Sequence, residues 1–326
     1  MSHTPQELGG PDRVRKTIRN IEEYVGYLPG FRRAHGRGVA FGGRFEASPE
    51  VAALTIAEHM RGDAVPVVVR LSNGSGTPYA ADRTSIERGS VLGLAVRFEL
   101  PSGGVSEWAA LSIAAFPAHT PDDFMGMLSA QRKGLPTGLP NPTRIVAFLA
   151  THPHCVPGAK EIFTAKTTKS FANTRYNGLH AYYLVDADGT RRAFRYRWIP
   201  VAGPAGITPE EDRILPEQYL ISEIKLRVER EPVAWDLVLQ MAEPGDPTDD
   251  MSKRWPDSRP LLTAGRLVVD RLHEDQELID ASMFDPINVP PGIETSDDPV
   301  LHFRSEIYIE AQKKRLGETK PAITSE

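Results

Sequence analysis

The stretch from His180 to Ile199 constrains the fold most. HAYYLVD and RRAFRYRWI are short runs rich in aromatic and apolar residues. They flank Asp186, Ala187, Asp188 and Gly189, turn-forming residues of which the last accepts positive φ, so the two runs read as an antiparallel hairpin. Runs of similar character lie at 37–46, 65–72, 91–98 and 107–116, and again in AWDLVLQM and LTAGRLVVDRL. Together they make about eight strands with short connections. Such a set removes its edges by closing into a barrel, which also leaves an interior pocket for a ligand. Helices are expected at 49–60, introduced by Ser48 and Pro49 as cap and first-turn residue, and at 121–132, 142–150 and 217–229. A proline-rich crossing segment, 284–299, precedes a helix from about Val300 to Leu316. The expected fold class is α+β: an antiparallel eight-stranded β-barrel with surrounding helices.

Composition narrows the function classes. A formal net charge of −5 with mixed signs throughout provides no basic field, so neither nucleic acid nor an anionic membrane is an expected partner. Cys155 is the only cysteine, which excludes an intrachain disulfide and fits a reducing cytoplasm. The N-terminus lacks a secretory signal, and apolar stretches such as Val65–Val69 fall far short of the ~20 residues of a membrane-crossing helix. One domain over 1–326, with a core of about 30–317 and short flexible termini, is the expected organisation.

Three segments carry candidate chemistry. FRRAHGRGVAFGGRFEAS places His35 between arginines ahead of a glycine-spaced strand, where a flat ligand can approach the backbone. A lone histidine in this setting is more often structural. In VPVVVRLS, Arg70 and Ser72 lie two apart on a strand and share one face, read as inward-pointing. A buried arginine needs an anion, supplied either by a ligand or by a distant carboxylate. In LHFRSEIYIEAQKKRLG, Arg304 and Tyr308 lie four apart on a helix, and a cation beside a phenol favours the phenolate. A tyrosine at helical spacing is, by itself, more often a core residue.

Taken together and in this order, the segments resemble the haem catalase family. RAHGRGVAFGGRFE is similar to that family's distal-histidine segment, VVVRLS to its following strand, and FDPINVPPGIETSDDPVLHFRSEIYIEAQKKRLG to its crossing segment and proximal helix. SFANTRYNGLHAYYLVDADG is a softer match. The resemblance implies a catalase-like barrel holding haem b, with Tyr308 as axial iron ligand and Arg304 keeping it anionic. It also implies His35 as distal acid and base, Ser72 as its neighbour, and Arg32, Arg70 and Arg315 as cations for the haem propionates.

Departures from the family refine the expectation. Leu111 stands where the family has its distal asparagine, and Leu92 where an arginine precedes Gly-Leu-Ala-Val. The long N-terminal arm and most of the C-terminal helical region are absent, which argues against an intertwined tetramer and a bound nicotinamide; a homodimer is compatible. The closest resemblance is to the small catalase-related peroxidases. The implied activity is reduction of hydrogen peroxide or organic hydroperoxides by a small organic donor, with weak catalase activity. An allene oxide synthase-like enzyme that rearranges hydroperoxides, and a haem-binding protein without turnover, are the alternatives.

Overall fold

The structure, a computed structural model, describes residues 10–25, 27–75, 77–131 and 141–320. Of the expected flexible termini, residues 1–9, 26 and 321–326 lie outside these residues, whereas 11–25 form a helix. Eight strands follow one another: β1 (Gly38–Ala47), β2 (Val65–Asn73), β3 (Leu92–Glu99), β4 (Val105–Leu111), β5 (Tyr176–Val185), β6 (Arg191–Pro200), β7 (Val233–Met241) and β8 (Leu261–Leu272). All pair antiparallel in the order β4-β3-β2-β1-β8-β7-β6-β5, and Leu111 of β4 pairs with Asn177 of β5 to close the barrel. A short β9 (Ile293–Thr295) adds to the side of β5. The expected turn joins β5 to β6, with Gly189 at φ +78°.

Strand alternation gives the barrel wall two apolar faces. One face of β2, β3 and β4 sends Val69, Leu71, Leu94, Val96, Phe98 and Trp108 into a core shared with Phe45, Tyr182, Phe194, Tyr196 and Trp198. These side chains fill the interior. Among the described residues, the cavity lined by Arg70 and Ser72 therefore lies outside the barrel and not in its interior, and these two side chains do not point inward. They lie on the outer face, where Ala40, Val68 and Ala95 pack against Ile279 and Phe284 in a separate cluster.

The helices are α1 (Pro11–Val25), α2 (Pro49–Ala52), α3 (Pro121–Ala130), α4 (Pro142–Thr151), α5 (Val156–Phe163), α6 (Pro209–Ile214), α7 (Leu220–Arg230), α8 (Gln276–Ala281) and α9 (Pro299–Leu316). α3, α4, α7 and α9 answer the helices expected at 121–132, 142–150, 217–229 and 300–316; Arg132 lies outside the described residues. The helix expected over 49–60 stops after one turn and resumes only as a 3-10 turn at Glu58–Met60. Between them, Ile56 N–H bonds the Val185 carbonyl of β5 at 3.0 Å, and the Thr55 hydroxyl accepts from Ala57 N–H, so sheet and side chain take the helix's donors. The strand expected to reach 116 ends at Leu111, where the Asn177 amide takes up the Ile113 carbonyl at 3.0 Å. α1 was not anticipated, although Val14, Ile18 and Ile21 have helical spacing. They pack with Leu128 of α3 and with Phe303 and Ile307 of α9, which backs α9 against the barrel wall. Among the described residues, no helix is long and apolar enough to cross a membrane.

Candidate active site

The cavity between the outer barrel wall and α9 is built on the strand register. Arg70 pairs with Ala95, and Ala95 with Ala109; one step along, Ser72 pairs with Gly93, and Gly93 with Leu111. All six line the cavity with His35, Phe284, Arg304, Tyr308 and Arg315. The centre of this wall carries only Gly93, Ala95 and Ala109, so it is flat and leaves room for a broad apolar ligand.

His35 enters from the segment before β1. It is the one non-glycine residue among those described with positive φ, 53°, a conformation that costs of order 1–3 kcal/mol and must be held by its surroundings. Arg70 Nη2 donates to the His35 carbonyl at 2.9 Å, and Gly36 N–H bonds Ser75 O at 2.9 Å. The ring Nδ1 lies 2.9 Å from Ser72 Oγ. Gly93 presses against the same ring: a Cβ there would meet His35 Cε1 at 2.7 Å and Ser72 Oγ at 2.9 Å. Burial, helped by the charges of Arg70, Arg304 and Arg32, lowers the His35 pKa to about 3. The imidazole is neutral at pH 7.

A cluster of cations stands at one end of the cavity. Arg32 donates to the Ser282 carbonyl at 2.6 Å and Arg315 to the Ala281 carbonyl at 2.8 Å. Asp280 is the carboxylate they share, 3.2 Å from Arg70 and 3.5 Å from Arg32. This is the distant carboxylate that sequence alone left open, but one anion faces three guanidinium groups. Burial and mutual repulsion lower the Arg70 pKa to about 9 and that of Arg315 to about 10. The Nε atoms of Arg32 and Arg315 are buried without hydrogen-bond partners. Arg33, next in the chain, is by contrast fully paired with Glu22 and Glu318.

On α9, Arg304 Nη2 donates to the Tyr308 hydroxyl oxygen at 2.8 Å, the contact expected from their spacing. Its Nη1 lies 2.7 Å from His180 Nε2, and His180 Nδ1 lies 2.7 Å from Asp298 Oδ2. A guanidinium group only donates, so His180 accepts at Nε2 and carries its proton on Nδ1, bonded to the carboxylate. Burial, aided by Arg304 and Arg195 and opposed by Asp298, lowers the His180 pKa, in keeping with a neutral ring. The other oxygen of Asp298 caps α9 by accepting from Val300 N–H at 2.9 Å. One carboxylate thus fixes both where the helix starts and how Arg304 is held.

The structure brings His35, Ser72, Arg32, Arg70, Arg304, Tyr308 and Arg315 to one cavity. Sequence reasoning did not single out His180, Asp298, Asp280 or Gly93. His180 and Asp298 stand 118 residues apart, and no local spacing marks them as partners.

The catalase family model matches residues 29–324. A catalase-related peroxidase of Mycolicibacterium paratuberculosis is 35% identical over 309 residues, covering 94% of this chain and 95% of that protein. One from Synechococcus elongatus is 30% identical over 306 residues, covering 94% and 88%. Among solved structures, a fungal catalase superposes with a TM-score of 0.79 at 21% identity over 90% of this chain, and catalase A from Saccharomyces cerevisiae with 0.78 at 20% over 89%. The chain spans 60% and 62% of those two proteins' lengths, so it corresponds to their shared barrel and helices and not to their whole chains. By the family match over nearly its full length and the two close relatives, this chain belongs to the catalase family.

Proposed function

We propose that this chain is a haem-dependent peroxidase that reduces hydrogen peroxide or organic hydroperoxides at the expense of a small organic donor, working as one domain. The observation that carries the reading is Arg304 bonded to the Tyr308 hydroxyl at 2.8 Å in the same cavity as the His35–Ser72 pair. The close relatives named as catalase-related peroxidases support it.

The residues fit haem b. The surplus of cation over carboxylate at Arg32, Arg70 and Arg315, with Arg315 Nε unpartnered and Arg32 Nε only 3.5 Å from Asp280, suits the two propionates. The flat wall of Gly93, Ala95 and Ala109 suits a planar ring. Tyr308 would hold the iron, since tyrosine is the catalase haem ligand by general rule and Arg304 supplies a positive partner for the phenolate. When bound, haem supplies a redox-active iron that can give up and regain electrons.

The chain's own residues then handle the proton. With its hydroxyl hydrogen turned to the Gly93 carbonyl, Ser72 accepts from His35 Nδ1–H and leaves Nε2 with a free lone pair. His35 takes the proton of an incoming hydroperoxide at Nε2 and returns it to the departing oxygen, acting as base and then acid. Its lowered pKa keeps the ring neutral at pH 7, so that Nε2 is unprotonated. Leu111 and the alanines exclude water without donating a hydrogen bond. The rearranging and non-catalytic alternatives gain no specific support from this geometry.

The test is an absorption spectrum of purified protein and of Tyr308→Phe. The wild type is expected to show a haem band at near-stoichiometric occupancy and turnover of a phenolic donor with peroxide. The variant should lose or miscoordinate the haem while keeping the barrel's circular dichroism. Unchanged haem bands at full occupancy in the variant would show that Tyr308 is not the ligand.

A further inference from the structure

The cavity wall has a second side. Trp108 on β4 lies inside the barrel, immediately before Ala109, which lines the cavity. Its ring is the hub of an aromatic cluster: Tyr196 at 4.5 Å between centroids, Phe98 at 5.7 Å, Tyr182 at 6.3 Å and Trp198 at 6.4 Å. The His59 ring stands nearly perpendicular to Trp108 at 6.0 Å and tilted against Phe98 at 4.5 Å.

Two polar groups in this cluster are costly and unexplained by packing. His59 is fully buried with neither ring nitrogen bonded, and Trp198 Nε1 is also unpartnered. A buried polar group left unpaired costs about 1–3 kcal/mol. Burial lowers the His59 pKa to about 3, so the ring is neutral and carries a lone pair in an otherwise apolar surrounding.

We propose that Trp108 is a redox-active residue, able to hold one oxidising equivalent across the barrel wall from the haem; this rests on the haem peroxidase reading above. Cleavage of one hydroperoxide, which takes up two electrons and two protons to give an alcohol and water, draws both electrons from the haem side. Trp108 returns one and becomes an indole radical cation. An organic donor then restores Trp108, giving up one electron and one proton to leave a donor radical; a second donor molecule gives the other electron and proton, which together replace the two electrons and two protons that cleavage consumed.

Among the aromatic rings, Trp108 is favoured for a chemical reason. An oxidised phenol must lose its proton, but Tyr196 and Tyr182 donate only to the backbone carbonyls of Ala109 at 2.9 Å and Pro286 at 3.0 Å, which cannot accept it. An indole radical cation needs no proton loss. The Trp108 Nε1–H stays on Ser106 Oγ at 3.1 Å, while the electron-rich rings of Phe98 and Tyr196, 5.7 and 4.5 Å away, and the single lone pair of the neutral His59 ring stabilise a positive charge.

The experiment uses haem-loaded protein mixed with tert-butyl hydroperoxide without donor, freeze-quenched and read by electron paramagnetic resonance. A radical signal is expected that narrows when tryptophan is ring-deuterated, is lost in Trp108→Phe of equal haem content, and decays when a phenol is added. Peptide mass mapping of the wild type should find oxygen added at Trp108, suppressed by the phenol, and little at Trp255, which lies outside the cluster; this decides the matter even if the variant fails to fold. No radical, a signal sensitive only to tyrosine deuteration, or oxidation that spares Trp108 would overturn the proposal. Failure to bind haem or to react with peroxide, seen in the absorption spectrum of the same sample, would instead remove the reading beneath it.

Discussion

Replacing Gly93 by alanine tests the candidate site through one methyl group. That Cβ would lie 2.7 Å from His35 Cε1, 2.8 Å from Nδ1 and 2.9 Å from Ser72 Oγ. Carbon contacts are comfortable at ~3.5–4.0 Å, so the ring or the strand must yield by close to 1 Å. The ring is poorly placed to yield, being tied to Ser72 at Nδ1 and to Arg70 through its carbonyl, at a φ of 53°. Overpacking of this kind costs ~1–3 kcal/mol. At roughly 2 °C per kcal/mol for a chain this long, the melting temperature should fall by ~2–6 °C. If the ring gives way, proton transfer through His35 is impaired, and such transfer is typically worth ~10²- to 10⁴-fold. Tyr308 and the cation cluster are untouched, so haem should still be bound. Stopped-flow mixing with peroxide, normalised to haem content, is the assay. A rate and melting temperature both equal to wild type would refute the claim that Gly93 seats His35.

His35→Ala should retain haem but react with peroxide ~10²- to 10⁴-fold more slowly; a wild-type rate would remove His35 from the proton path. Leu111 offers no hydrogen bond to a second peroxide, and a preorganised one can be worth ~2.7–4 kcal/mol, so an oxygen electrode should record weak oxygen release without donor and a gain in Leu111→Asn. Turnover rivalling full-length catalases in the wild type would contradict this. With the His35 pKa lowered to about 3, the peroxide reaction should show no limb near the ordinary histidine value of 6.5 and should fall only in more acidic solution. A limb centred at 6.5 would mean that the ring is solvated. His59 contributes to stability with the same sign: its folded pKa, also about 3, lies below the unfolded value, so its contribution is present above pH 6.5 and is lost as pH falls toward 3. The apoprotein's urea midpoint should therefore decline between pH 7 and 5, with a slope of up to ~1.4 kcal/mol per pH unit from this residue; flat midpoints would count against it.

The sequence by itself determined what is local. Strand periodicity and turn residues located the barrel, because alternation and the Asp-Gly turn are properties of adjacent residues. Helical spacing set Arg304 against Tyr308, since residues four apart must meet on a helix. Only the tertiary structure decided what depends on faces and distant partners. Both faces of β2 are apolar, so the pattern VPVVVRLS cannot tell inside from outside; filling of the barrel by Trp108, Tyr196 and Trp198 put Arg70 and Ser72 on the outer wall. The turn at Thr55 yielded to a sheet bond with Val185, a competitor invisible over 49–60. Asp280, His180 and Asp298 became partners of the cations and of Arg304 only when α8, the crossing segment and α9 folded against the barrel. Electrostatic pairing depends on distance in space, and chain closure over more than 100 residues leaves no spacing in the sequence from which to read it.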